Sequence, residues 1–336
     1  MRASVTGRLM FAVCLALLAG GRADVRGQAA TQVADPFGAE ALPKQLAPDA
    51  LFTVACARPV LETGPILVTD EGPFGPRMQY IDGGVRTLRN GGAHAAGNAT
   101  SQMLVVLRDN PKVRLLFTMA EGLYRIVAKR SAGIRTLADL KGKRVVTPPT
   151  TSAHYFLVAM LRSGGLQESD VTVVTRPATE MAAALVRGDA DAISMWEPES
   201  QNAVVALGAD AVIFQDNKAY RELYSIYSTT DVMQDPRRRA ELVDFVRALL
   251  VSVEAIRKDP PRYFPLISKV TGHPVPQIAR SWEHHAWPVG HPADLLDKLV
   301  EEDQWIAVRQ KRAPRSRTEL AGYIDTSILA EARRPR

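Results

Sequence analysis

From Asp49 onward the chain alternates two hydrophobic rhythms: short runs that are mostly apolar, and longer stretches in which apolar residues return every three or four places. The short runs read as strands buried under helices, the longer ones as the helices that cover them. Residues 51–55 (LFTVA) and 78–81 (MQYI) are strands of a first set, and 65–70 between them has room for one or two helical turns. A helix over 100–109 opens on polar residues, and strands over 113–118 and 123–128 follow, parted by Glu121 and Gly122. The pattern then restarts with a strand at 144–147, a helix at 152–163 closed by Gly164-Gly165, a strand at 171–175, a helix at 180–187 and a strand at 190–195. Such alternation predicts parallel sheets with crossover helices, and two sets of it predict two α/β lobes. Residues 239–258 form a long amphipathic helix stopped by Asp259-Pro260-Pro261, and the remainder to Arg336 reads as mostly helical with a basic, polar end.

One frame of small residues occurs in both sets. Leu88-x-x-Gly91-x-Ala93-x-Ala95 returns as Leu185-x-x-Gly188-x-Ala190-x-Ala192, an offset of 97 residues. In each copy a helix ends, glycine makes the reversal, and alanines admit a strand that lies under helices. Ligands of open α/β sheets sit at the C-terminal strand ends. The residues delivered there are Gly97-Asn98-Ala99-Thr100 in the first copy and Met195-Trp196-Glu197-Pro198 in the second.

The N-terminus changes the charge and redox picture. Arg2 and Arg8 precede an apolar run over 9–18 and then small residues, a pattern that fits an export signal over 1–29 cleaved after Ala23 or Ala29. A run of about ten residues is too short to span a bilayer. The signal carries +3 of the chain's +6 charge, so the mature protein keeps +3 and loses the electrostatic argument for nucleic acid. Cys14 leaves with the signal and Cys56 stays alone, which excludes an intramolecular disulfide. Val13 beside Cys14 makes a poor lipidation site, so a free periplasmic protein is expected.

The stretch Ser131-Ala132-Gly133-Ile134 through Asp139-Leu140-Lys141-Gly142-Lys143-Arg144-Val145 resembles the S-G-I-x-x-x-x-D-L-K-G-K-x-V block of periplasmic substrate-binding proteins of ABC importers. The group it resembles serves nitrate, taurine and aliphatic sulfonates and includes thiamine-pyrimidine binders. Thr150-Thr151-Ser152-Ala153-His154-Tyr155 is similar to that group's turn before a helix, and Ala184-Leu185-x-x-Gly188-Asp189-x-Asp191-Ala192 with Trp196-Glu197-Pro198 to its A-L-x-x-G-x-x-D-A and W-E-P blocks. His94 stands where the first G-x-x-D block has an acid, and residues 70–76 are a shortened, proline-rich version of the K-G-x-F-x-x-x-G segment. The resemblance implies a type II periplasmic binding protein fold: lobe 1 over 50–127, lobe 2 over 128–226, and lobe 1 again with C-terminal helices over 227–336. Crossing hinge strands fall near 124–129 and 224–230. It further implies a monomer that captures a small anionic or heterocyclic solute, without cofactor or reaction, and hands it to an inner-membrane permease with its ATPase. A thiamine-pyrimidine precursor binding protein, or a synthase-like enzyme on the same scaffold, is the alternative. The enzyme class pairs an iron site with a cysteine-rich segment, which the lone Cys56 does not supply.

Thr150, Thr151 and Ser152 precede an apolar helix, so Thr151 or Ser152 is its N-cap and the free first-turn N–H groups favour an anion. Tyr155 follows one turn later. Trp196 offers an apolar wall or a stacking face, and Glu197 would suit a ligand amine. Asn98 and Thr100 offer amide and hydroxyl groups from the other lobe, with Glu121 at the gap between two strands. Cys56, Arg58 and Glu62 lie just after the first strand, where the resemblance places ligand-facing residues, and Arg58 could clamp a sulfonate or carboxylate. His273, His284, His285 and His291 lack metal-ligand spacing, no G-x-S-x-G accompanies His154, and no phosphate-binding G-x-x-x-x-G-K-[ST] is present.

Overall fold

The computed structural model describes residues 45–335; the export segment expected at 1–29, with Cys14, lies outside them. Strands β1 (Phe52–Cys56), β2 (Met78–Asp82), β3 (Ala95–Ala99) and β4 (Val113–Gly122) come first. They are followed by β5 (Arg125–Lys129), β6 (Arg144–Val146), β7 (Thr172–Val174), β8 (Ala192–Met195) and β9 (Ala211–Phe214), then by β10 (Glu222–Thr229) and β11 (His285–Ala286). They build two sheets, ordered β11-β4-β10-β3-β1-β2 and β7-β6-β8-β5-β9.

The two orders superimpose. β2-β1-β3 and β7-β6-β8 are parallel triplets, and β10 and β5 each pair antiparallel with the third strand and with one strand beyond it. The sheets are therefore mixed, not wholly parallel as the alternation predicts. The strand that crosses from the other sheet, β5 or β10, enters from the opposite end and must run against its neighbours. The chain leaves the first sheet after Gly122 and re-enters it at Glu222, so β5 and β10 each lie in a single sheet.

The repeated frame occupies the same place in both sheets, since it leads into β3 in one and β8 in the other. Gly91 has φ 72° and Gly188 φ 81°, the left-handed region that closes a helix cheaply only without a Cβ. In the first copy the element it closes is a 3-10 helix, Gly84–Asn90; in the second it is α4 below.

Helices α1 (Gly64–Asp70), α2 (Thr100–Val106), α3 (Ser152–Ser163), α4 (Met181–Arg187) and α5 (Glu199–Leu207) fill the connections. After β10 come α6 (Thr230–Gln234), α7 (Pro236–Lys258), α8 (Phe264–Thr271), α9 (Val275–Trp282), α10 (Leu295–Arg309), α11 (Arg317–Ala321) and α12 (Ser327–Ala332). α7 starts where Asp235 accepts the Arg238 N–H at 2.8 Å and Pro236 takes the first position. Leu242, Val246, Leu249 and Val253 recur at helical spacing and pack with Phe245 against Phe52 and Phe117, each burial worth about 2 kcal/mol, while Val251 on the other side stays exposed. No helix among the described residues is long and apolar enough to cross a membrane.

Candidate functional site

The C-terminal ends of the parallel triplets meet at a small cavity with residues from both sheets on its wall. The first sheet's side supplies Ala57, Val60 and Glu62 after β1, Asn98 at the end of β3, and Gln102 on α2. Thr151 and Ser152 at the start of α3 and Trp196 after β8 come from the second. Tyr124, in the first crossing, and Glu222 and Tyr224, on β10, close the ring. The cavity holds about 20 Å³, room for one water, because the two halves are packed together.

Aromatic side chains make that packing. The Tyr124 ring lies 6.2 Å from Trp196 and 5.6 Å from Tyr220, and Tyr155 reaches Tyr220 at 5.7 Å and Trp305 of α10 at 5.3 Å. Gln102 Nε2 donates to Thr150 O at 3.2 Å, and Gln277 on α9 donates to Asn202 on α5 at 2.7 Å. Each bond ties a helix of the first half to an element of the second.

Five of the residues singled out from the sequence, Glu62, Asn98, Thr151, Ser152 and Trp196, line this cavity. Thr151 is the cap of α3, accepting the His154 N–H, and Ser152 Oγ lies 2.9 Å from Tyr124 OH. Asn98 Oδ1 accepts the Ala99 N–H at 2.8 Å.

Six others are engaged elsewhere. Arg58 is exposed, with its N–H bonded to Asp82, and Thr100 is fully buried beside the carboxyl of Glu302 on α10. Glu121 pairs with Arg221 at 3.0 Å, and Tyr155 sits in the aromatic cluster. Thr150, at φ 62°, acts through its backbone, its N–H donating to His154 Nδ1 at 3.1 Å. Glu197 accepts Arg125 Nε at 2.8 Å and the Gln201 N–H at 3.1 Å, a buried ion pair that closes off both its oxygens.

The strongest electrostatic feature of the wall is half legible in the sequence, where Glu62 stands out but its neighbours Glu222 and His285 do not. Glu62 and Glu222 are 1% and 4% exposed and both pack over Gly122, where a Cβ would meet Glu222 Oε2 at 2.7 Å and Glu62 Oε1 at 3.2 Å. Behind Glu62, His285 Nε2 lies 3.3 Å from its Oε1, while His285 Nδ1 donates to Ser281 O at 3.1 Å. Burial pushes the Glu222 carboxyl well above its ordinary range and the charge of Glu62 adds to that, so Glu222 holds a proton. Burial acts on Glu62 the same way but is outweighed by His285, which keeps Glu62 ionised; the reciprocal pull of Glu62 outweighs burial at His285 and raises it. These directions favour a charged His285–Glu62 pair beside a neutral Glu222.

Two groups that could suggest chemistry are quiet. Burial pushes the Cys56 thiol up to about 12, so it is no thiolate at neutral pH. His154 has one nitrogen on the Thr150 N–H and the other 3.0 Å from Glu168, leaving neither to take a proton from a substrate.

Two α/β sheets of matching strand order, crossed twice by the chain and enclosing a cavity at their strand ends, define the two-lobed type II binding-protein fold. The chain belongs to the NMT1/THI5-like family, to which residues 83–262 match. It is 31% identical over 137 residues to the taurine-binding periplasmic protein of Escherichia coli (strain K12), covering 40% of this chain and 41% of that protein. The chain spans less than half the length of the curated relatives it matches first. Among solved structures it resembles the periplasmic aliphatic sulphonate binding protein SsuA from Escherichia coli, with TM-score 0.68 at 16% identity over 81% of this chain and 92% of that one. The periplasmic nitrate-binding protein NrtA from Synechocystis PCC 6803 is similar at TM-score 0.61 and 16% identity, over 84% and 88% of the two chains. The desulfurization enzyme DSZB is similar at TM-score 0.62 and 15% identity, over 83% and 98%. The shared scaffold thus carries binding proteins and an enzyme alike, and the site must separate them.

Proposed function

We propose that this chain is the exported solute-binding component of an ABC importer, free in the periplasm, which captures a small solute between its lobes and delivers it to an inner-membrane permease and its ATPase. The observation that carries the reading is the pairing of Asn98 and Trp196. They stand at the C-terminal ends of structurally equivalent strands of the two sheets and line one cavity, so a ligand there touches both halves. The crossings at 122–125 and 214–222 act as the hinge, and contacts from both sides favour the closed form. The family and the names of its relatives support a solute of the sulfonate, taurine or nitrate kind, with the α3 N-terminus as the seat for an anionic group. The protonated Cys56 and the doubly engaged His154 support binding without turnover.

The test is recovery of the solute. Protein isolated from the periplasm of its host should release, on denaturation, one small molecule that stays chemically unchanged after long incubation with refolded protein. Conversion of that molecule, or an uptake rate in vesicles with permease and ATPase that ignores added protein, would overturn the reading.

A further inference from the structure

We propose that the cleft selects solutes carrying a protonated amine or amidine, with Glu62 and Glu222 as the counter-charge. This deepens the solute-binding reading and rests on it.

The wall of the cavity holds two carboxyl groups and three aromatic rings, Tyr124, Trp196 and Tyr224, and among the described residues no lysine or arginine lines it. The nearby cation, Arg125, is taken up by Glu197 and by Gln201 Oε1 at 2.9 Å. Both carboxyls are more than nine-tenths buried and stand against each other beside Tyr124, and among the described residues Glu62 Oε2 and Glu222 Oε2 have no further hydrogen-bond partner. An acceptor left so costs desolvation energy without return unless a donor arrives with the ligand. An ammonium or amidinium brings several N–H donors and a positive charge, and aromatic faces around a cation add to its binding. His285 already neutralises Glu62, so the group free to change is Glu222, which exchanges its proton for the ligand's charge.

A plain anion finds the opposite: only the first-turn N–H groups of α3 favour it, and two carboxyl groups stand opposite. A zwitterion is accommodated at both ends, with its anionic group at α3 and its amine at the glutamates. Isosteric loss of that amine leaves the carboxyl pair without the donors and charge it brings, the situation in which a site rejects an analogue most strongly.

Thermal-shift and calorimetric titrations of the mature chain would use two sets of probes. Taurine, β-alanine, ethanolamine and agmatine carry an amine; isethionate, ethanesulfonate and nitrate do not. Binding is expected only within the first set, with isethionate, the hydroxyl counterpart of taurine, at least a hundredfold weaker. Glu222→Gln and Glu62→Gln should each lower affinity for the bound amine more than tenfold, while Glu222→Gln keeps or raises the ligand-free Tm because a buried acid is removed. Isethionate, ethanesulfonate or nitrate binding as tightly as an amine overturns the inference and leaves the solute-binding reading standing. So does unchanged amine affinity in both variants. Failure of every probe in both sets counts against the solute-binding reading itself and takes the inference with it.

Discussion

Arg309 on α10 grips Glu168 across the divide between the halves, its Nη2 lying 2.7 Å from Oε1 and 2.5 Å from Oε2. The guanidinium also covers the Trp305 ring at 3.8 Å, and Glu168 in turn holds His154 on α3. A helix that follows the last strand of the first sheet is thereby latched to the start of the strand β7 turn in the second. Arg309→Met should loosen the closed form. Exposed pairs contribute under about 1 kcal/mol and a cation over an aromatic face a similar amount, so solute affinity should fall roughly threefold to thirtyfold. Calorimetry checks the affinity, and small-angle scattering should show a larger radius of gyration without solute.

The same latch predicts an acid limit. Hydrogen bonding from His154, against the opposing effect of burial and with help from Arg309, lowers the Glu168 carboxyl from 4.5 to about 2. A carboxyl lowered in the folded state binds its proton more readily when unfolded, so its stabilisation is complete above about pH 4.5 and is lost as pH falls towards 2. Denaturant melts between pH 5 and pH 2 should show this loss, and Glu168→Gln should flatten the dependence across that window.

Glu302 on α10 predicts the opposite slope. It is 2% exposed, and burial raises its carboxyl to about 8, opposed only partly by the Thr100 hydroxyl. A carboxyl raised on folding contributes most below its ordinary value of 4.5, and that contribution is lost as pH rises through about 8. Glu302→Gln should therefore stabilise the protein at pH 9 by on the order of 1 to 3 kcal/mol and change little at pH 4. Thermal melts of both proteins at the two pH values decide it.

Trp196 and Asn98 should separate affinity from stability. Trp196→Ala removes wall area from the cavity and its contact with Tyr124, an expected loss of about 1 to 3 kcal/mol in binding, tenfold to a hundredfold. Asn98→Ala should cost about 1 kcal/mol. Ligand titrations and ligand-free melts of both variants check this; a Trp196→Ala protein that melts far lower yet binds normally would make that ring a core residue.

Local features were legible in the chain and convergent ones were not. The repeated glycines, the Thr151 cap and the strand ends carrying Asn98 and Trp196 are set within a few residues of themselves, and the structure reproduces them. The carboxyl cluster unites a turn after β1, the first residue of β10 and the two-residue strand β11, positions that only the crossing topology brings together. Read alone, Glu222 is a polar strand start and His285 half of a histidine pair. Glu197 is hard to read for a related reason: its partner Arg125 arrives from β5, the strand that pairs with β8, and ties the acid into a buried ion pair. Wholly parallel sheets were expected because the alternation of elements does not reveal that one strand of each sheet comes from the far side.

That borrowed strand also dictates when each half can fold. The second sheet, β5 to β9, is one uninterrupted stretch, complete once Phe214 has been made. The first cannot close until β10 slides between β3 and β4, pairing Ser225 with Asn98 and Thr118 long after those residues were synthesised. Contacts so far apart in sequence form late. The nascent chain therefore carries an open, unpaired edge on β3 from Ala99 until Glu222–Thr229 is made, and the wall that presents Asn98 and Glu222 to a ligand exists only after the whole second sheet does.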